Sequence, residues 1–244
     1  GEVLAIATQL CAVVEQLHAQ VVMHGDLRPA TILVDPQTRT LTLADPGIAR
    51  VLGVGVTIAH ELDYVDALLP YLAPEQLGRT PSEPDARSDL HAIGVTLYEL
   101  LTGRRPFSAN TASELTRAQL VRRPRPPHEL RPAIPPMLAA LVMRLLEKQP
   151  DQRYQSAAGL AHDLGRIIAA LREGELELGF PLGERDFPTA LRMPRRLYGR
   201  AHVLAQLEQE LATVRERGES RAVFLLGDAG LGKSALLRSF AAPL

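Results

Sequence analysis

His24-Gly25-Asp26-Leu27-Arg28-Pro29-Ala30-Thr31-Ile32-Leu33-Val34 sets a carboxylate, a guanidinium and a hydroxyl close together, and a second carboxylate, Asp45, follows nineteen residues after Asp26. Two acids held apart by a short hairpin can take separate duties. One accepts the proton of an incoming hydroxyl while the other holds Mg²⁺ against phosphate oxygens, which is the division of labour that phosphoryl transfer needs. A second chemical motif lies far downstream. The apolar run Ala222-Val223-Phe224-Leu225-Leu226 feeds Gly227-Asp228-Ala229-Gly230-Leu231-Gly232-Lys233-Ser234. In a glycine-rich turn between a strand and a helix, backbone amides cradle phosphates, a lysine bridges them and a hydroxyl holds Mg²⁺. Gly227, Gly230, Gly232, Lys233 and Ser234 are therefore the candidate nucleotide-binding residues.

The first helix is expected from Ile6, Leu10, Val13, Val14 and Leu17, which recur at helical spacing and stop near His18-Ala19-Gln20. Val21-Val22-Met23 should bury as the foundation of the loop, with the His24 ring pointing inward as a structural group. Ile32-Leu33-Val34 and Thr40-Leu41-Thr42-Leu43-Ala44, joined through Asp35-Pro36-Gln37-Thr38-Arg39, predict two strands around a turn. That hairpin would set the distance from Asp26 to Asp45. Residues 46–72 carry Gly47, Gly53 and Gly55 and suit a mobile segment. A central helix is expected from Ser88 as its cap through Ile93, Leu97, Leu100 and Leu101 to a stop at Gly103. After a proline-rich connection, two further helices present Leu138, Leu141, Val142, Leu145 and Leu146, then Leu160, Leu164, Ile167, Ile168 and Leu171.

Glycines and prolines at 174, 179, 181, 183, 188 and 194 then interrupt any period, so residues 173–197 read as an interdomain linker. An amphipathic helix follows, bearing Val203, Leu204, Leu207, Leu211 and Val214. Residues 222–226 should form a strand buried on both faces.

The whole chain has 244 residues, 46% hydrophobic content and a net charge of −1, enough for one or two domains with a real core. With no long basic run, neither nucleic acid nor an anionic membrane is expected as a partner. Cys11 is the single cysteine, so no internal disulfide can form; a reduced compartment and a core-filling role are the simpler reading. No apolar run approaches the roughly 20 residues of a membrane span. The chain is read as cytoplasmic, and its ends, both inside helical patterns, read as cuts in a longer protein.

The loop and Asp45-Pro46-Gly47 are joined by Ala73-Pro74-Glu75, by Ser88-Asp89-Leu90-His91-Ala92-Ile93-Gly94, and by Arg153 within Pro150-Asp151-Gln152-Arg153-Tyr154. In order and spacing they resemble the large lobe of protein kinases. The resemblance covers about residues 1–172 and implies a mainly α lobe with a small β-hairpin. Residues 198–244, with Tyr198-Gly199-Arg200 ahead of the P-loop, resemble the first strand and helix of an AAA-like or STAND α/β NTPase domain. Such an order occurs in large bacterial multidomain sensor kinases.

The resemblance further implies a parent protein with serine/threonine kinase activity, ATP and Mg²⁺ as cofactors, and a protein substrate and other domains of the same polypeptide as partners. Asp26 takes the role of base. Arg28 stands where the family usually has a lysine reaching the transferred phosphate, and Asp45 and Thr31 stand at the metal-ligand positions. Glu75 should pair with Arg153 in a buried ion pair, and Asp89 should accept backbone hydrogens from the loop. No small-lobe motif precedes the first helix, so these residues alone are expected to be inactive.

Three departures from the family pattern have physical consequences. Thr31 replaces an asparagine and offers a poorer oxygen ligand. Gly25 replaces an arginine that pairs with a phosphorylated activation segment, which makes Thr57, Tyr64 and Tyr71 poor candidates for switch sites. Pro46 replaces a phenylalanine and fixes one backbone dihedral. A pseudokinase that relays signals to the ATPase is the alternative reading. In a third, the ATPase is the only catalyst and the helical region regulates it.

Overall fold

Glu2–Ala19 forms the first helix, α1, of a computed structural model that describes residues 1–44, 67–80, 82–175, 179–188, 201–218 and 220–226, with Leu236 and Phe240. Asp45, Pro46 and the P-loop residues 227–234 lie outside the described residues, as do Thr57, Tyr64 and Tyr198-Gly199-Arg200. The chain divides into two units, Gly1–Thr189 and Ala190–Leu244.

In α1 the buried stripe is Ala7, Leu10, Cys11, Val14 and His18, while Ile6, Val13 and Leu17 are only half-buried. The helix ends in a Schellman motif: Val22 N–H donates to the Leu17 carbonyl and Val21 N–H to the His18 carbonyl, each at 3.0 Å. This motif puts Val21 in the left-handed region, with φ of 58°, and 94% exposed. The expected burial of Val21 therefore does not occur, because the cap turns it outward.

Strands β1 (Ile32–Val34) and β2 (Leu41–Leu43) pair antiparallel, Ile32 facing Leu43 and Val34 facing Leu41. The Asp35 carboxylate closes the intervening turn by accepting from Gln37 N–H at 2.7 Å and Thr38 N–H at 2.8 Å.

Helix α2 (Ala86–Thr102) runs through the core and stops at Gly103, whose φ of 75° suits glycine. Its cap is Asp85 rather than Ser88: the Asp85 carboxylate accepts from Arg87 N–H at 2.9 Å, and Ser88 Oγ accepts from Asp85 N–H at 3.3 Å. Both residues take part because a capping box uses positions three apart. Helices α3 (Ala112–Val121), α4 (Pro127–Leu130), α5 (Pro136–Leu145) and α6 (Ala157–Glu173) follow. The core gathers Leu10 and Val14 of α1, Ile93 and Leu97 of α2, Leu141 and Leu145 of α5, and Leu160 and Leu164 of α6. At Gly94 a Cβ would stand 2.6 Å from the Leu145 Cβ, so glycine lets α2 and α5 touch. The result is a mostly helical unit with one small antiparallel hairpin, as the resemblance implied.

Residues 179–188, expected within the linker, dock on the first unit instead. Phe180 and Leu182 pack on the core, and Arg166 lies 3.7 Å over the Phe180 ring. Asp186 accepts from Gln155 N–H at 2.7 Å, Ser156 N–H at 2.9 Å and Ser156 Oγ at 3.0 Å, just before α6 begins. Gly183 N–H donates to Asp163 at 2.6 Å. Glycine and proline here shape a strap rather than a tether.

In the second unit α7 spans Ala201–Arg217. Residues 220–226 carry no strand pairing, with Phe224 83% and Leu226 92% exposed. The expected strand, buried on both faces, is not seen there. Such burial requires neighbouring strands, and this unit has none among its described residues.

Candidate catalytic loop

Asp89 anchors the loop. Standing in the first turn of α2, its carboxylate accepts from His24 N–H and Gly25 N–H at 2.8 Å each, and meets His18 Nε2 at 2.9 Å. Gly25 makes the two amides converge by taking φ of 79°, which glycine adopts without strain. The expected contact of Asp89 with the loop is present, and His18 is a partner that sequence reasoning missed. Its signal was there in outline: His18 falls four residues after Val14 on the buried stripe.

Beyond this anchor the chain turns Asp26 inward until it is 2% exposed. Arg28 Nε donates to Asp26 Oδ1 at 2.8 Å, and Asp26 N–H reaches His24 Nδ1 at 3.3 Å. His24 is fully buried, as expected. Thr31 Oγ1 donates to the Asp26 carbonyl at 2.7 Å and accepts from Arg28 N–H at 3.2 Å. The Thr31 hydroxyl thus clasps its own loop. With its proton and one lone pair engaged there, Thr31 braces the loop, and one lone pair is left at the position expected to ligate a metal. Ala44 N–H donates to the Thr31 carbonyl at 2.8 Å, so the hairpin returns the chain to the loop one residue before Asp45.

Glu75 and Arg153 form the expected buried pair. Arg153 Nη1 and Nη2 donate to Glu75 Oε1 and Oε2 at 2.6 and 2.8 Å, and Ser88 Oγ adds a bond of 2.8 Å to Oε1. The remaining guanidinium protons go to the carbonyls of Glu147, Arg87 and Lys148 at 2.7, 3.2 and 3.0 Å. Every N–H of Arg153 is thereby placed. Gln76 ties this corner to the loop, its Oε1 accepting from Ala73 N–H at 2.9 Å and its Nε2 donating to the Gly25 carbonyl at 3.4 Å.

Burial next to Arg153 and Lys148 pushes the His91 imidazolium well below the ordinary histidine range, so the ring is neutral. Tyr71 donates its hydroxyl to Glu99 at 2.6 Å and is raised in pKa by burial and that carboxylate. The phenol is engaged inside the fold.

Among the described residues no three His, Cys, Asp or Glu side chains cluster to hold a metal. Asp26 is matched by Arg28, and the second acid, Asp45, is not described. The described loop fits the handling of a hydroxyl proton beside a cation.

The protein kinase domain family matches residues 1–164, well over half the chain. The chain belongs to the protein kinase family. Residues 196–244 match the AAA ATPase domain family, so the kinase domain is followed by an AAA-like segment. Among curated kinases, a probable serine/threonine-protein kinase of Corynebacterium efficiens is 32% identical over 203 residues, 81% of this chain and 30% of that protein. Serine/threonine-protein kinase Pkn1 of Myxococcus xanthus is 33% identical over 173 residues, 69% of this chain and 24% of that protein. The chain spans less than a third of either relative. The crystal structure of the Mycobacterium tuberculosis PknI kinase domain is 24% identical with a TM-score of 0.49, covering 68% of this chain and 55% of that one. Among the described residues of this kinase-family chain, no helix is long and apolar enough to cross a membrane.

Proposed function

We propose that the chain belongs to a multidomain signalling protein that transfers phosphate from Mg-ATP to serine or threonine hydroxyls of a protein, fused to a P-loop ATPase. Asp26 acts as the base, with Arg28 reaching the transferred phosphate and Asp45 holding Mg²⁺. Lys233 and Ser234, with Gly227, Gly230 and Gly232, bind the nucleotide of the ATPase. The observation that carries the kinase reading is the buried Asp26 carboxylate, 2.8 Å from Arg28 on a loop that Asp89 and Thr31 hold rigid. An acid so fixed keeps its place for an incoming hydroxyl. The return of Ala44 to Thr31 supports convergence of Asp45 on the same loop.

A pseudokinase that relays signals to the ATPase is the second reading, and it is favoured by one observation. The Thr31 hydroxyl is engaged within the loop, which leaves the second metal position weaker than the family's asparagine would make it. The experiment is a phosphate-transfer assay on the longer protein with Mg-ATP and a generic protein substrate. Incorporation abolished by Asp26→Asn but retained in Lys233→Ala supports the kinase. Absence of incorporation, together with ATP turnover sensitive to Lys233→Ala, supports the pseudokinase.

A further inference from the structure

Between residues 103 and 132 the chain places seven arginines against two glutamates, an excess of five positive charges in a protein of net charge −1. All seven side chains are exposed. Among the described residues Arg104, Arg105, Arg117 and Arg122 have no carboxylate within ion-pair distance. The pairs that do form nearby are long and open to solvent, Arg123 with Glu147 at 3.9 Å and Arg125 with Glu129 at 3.6 Å. Like charges left unmatched near one another repel and are relieved by an anionic partner.

Two of these arginines, Arg117 and Arg122, border a shaped surface. A cleft of about 590 Å³ opens beside α3, lined by Arg117 and Arg122, by Ser108 and Asn110, and by Ala118 and Val121. Val121 is 68% exposed at its rim, an aliphatic anchor point between guanidinium groups. Glu114 also lines the cleft and leaves the arginines in excess. The neighbouring aromatic, Phe107, is buried under Lys148 and cannot stack on a base, which argues against nucleic acid. Guanidinium forks match carboxylates two bonds at a time.

We infer that this cleft docks an acidic protein segment in which carboxylates flank an aliphatic side chain. The inference concerns binding and stands apart from phosphate transfer. The same helix is joined to the segment ahead of Ala73-Pro74-Glu75, because Gln119 Nε2 donates to the carbonyls of Leu69 and Leu72 at 2.7 and 3.3 Å. A segment held here would lie on the element that braces residues 69–72.

The test uses the full 244-residue chain and fluorescence anisotropy without nucleotide. The probes are a labelled dodecapeptide of alternating glutamate and leucine, its lysine counterpart, a dT oligonucleotide, and phosphatidylserine vesicles. The expected result is binding of the acidic peptide alone, weakened by added salt. The pair Arg117→Glu with Arg122→Glu should lower affinity about tenfold, and Val121→Asp should lower it too, while Arg172→Glu in the last turn of α6, outside the cleft lining, should leave it unchanged. Each variant is checked by circular dichroism; if the double reversal does not fold, Val121→Asp and salt dependence decide. Equal binding of the oligonucleotide or vesicles, or affinity indifferent to both the arginine and the Val121 changes, would overturn the inference.

Discussion

Arg153 grips Glu75 through both guanidinium arms, at 2.6 and 2.8 Å, across seventy-eight residues of sequence, and both groups are almost wholly withdrawn from water. Removing one partner strands the other charge. Glu75→Ala should lower unfolding free energy by roughly 3–5 kcal/mol, read from urea denaturation. Replacing both, as Glu75→Gln with Arg153→Met, should be much less damaging than the single change; equal losses would show that the pairing itself matters little.

Asp89 gathers two loop amides and a histidine, so Asp89→Ala leaves buried donors unmatched. The expected loss is about 2–4 kcal/mol. Amide hydrogen exchange should accelerate at His24 and Gly25 more than in the middle of α2. A uniform acceleration would mean that the carboxylate supports the whole unit rather than the loop.

Two helices end in the same motif with different residues at the left-handed position. In α6 that residue is Gly174, with Glu175 N–H on the Ala170 carbonyl at 2.9 Å; in α1 it is Val21. A β-branched side chain is strained there, so Val21→Gly should stabilise by about 1 kcal/mol. Gly174→Val should destabilise by a similar amount. Thermal melts of the two variants should move in opposite directions.

His91 is buried without charge, its pKa held low by burial and by Arg153 and Lys148. As pH falls below the ordinary histidine value of about 6.5, the unfolded chain takes up a proton that the folded chain refuses. Stability from this group is therefore complete above that value and lost below it, with a slope of up to about 1.4 kcal/mol per pH unit. His91→Leu should flatten the pH dependence between about pH 6.5 and 5. A slope identical to that of the unaltered protein would assign the acid sensitivity elsewhere.

The strap hangs on Asp186, which accepts three hydrogen bonds at the start of α6. Asp186→Ala should cost about 2–3 kcal/mol and expose residues 179–188 to limited proteolysis. Cleavage no faster than in the parent protein would show that Phe180 and Leu182 suffice to hold it.

The pairs Glu75–Arg153 and Asp89 with the loop were legible because the residue types recur at spacings tied to one fold. His18 was not, since a stripe of apolar residues hides a polar group that shares its period. The cap of α2 was misplaced by three residues because Asp85 and Ser88 both have capping chemistry and the structure uses both. The apolarity of residues 222–226 predicts a strand, yet a strand is a property of neighbours as much as of its own residues. The glycines and prolines of the strap suggest a linker, while the anchoring comes from Phe180, Leu182 and Asp186. The cleft beside α3 is not legible in the sequence, because only folding sets Arg117 and Arg122 around it with Ser108, Asn110 and Val121.

The three rungs between β1 and β2 serve as a measuring stick for whatever follows Ala44. Lengthening the tip at residues 36–39 leaves the rungs, and so the exit point, where they are. One residue added between Leu41 and Ala44 would instead slide the ladder, either turning Leu41 toward water or delivering the next side chain to the opposite face. Natural length variation in this hairpin should accordingly collect at its tip and spare its second strand.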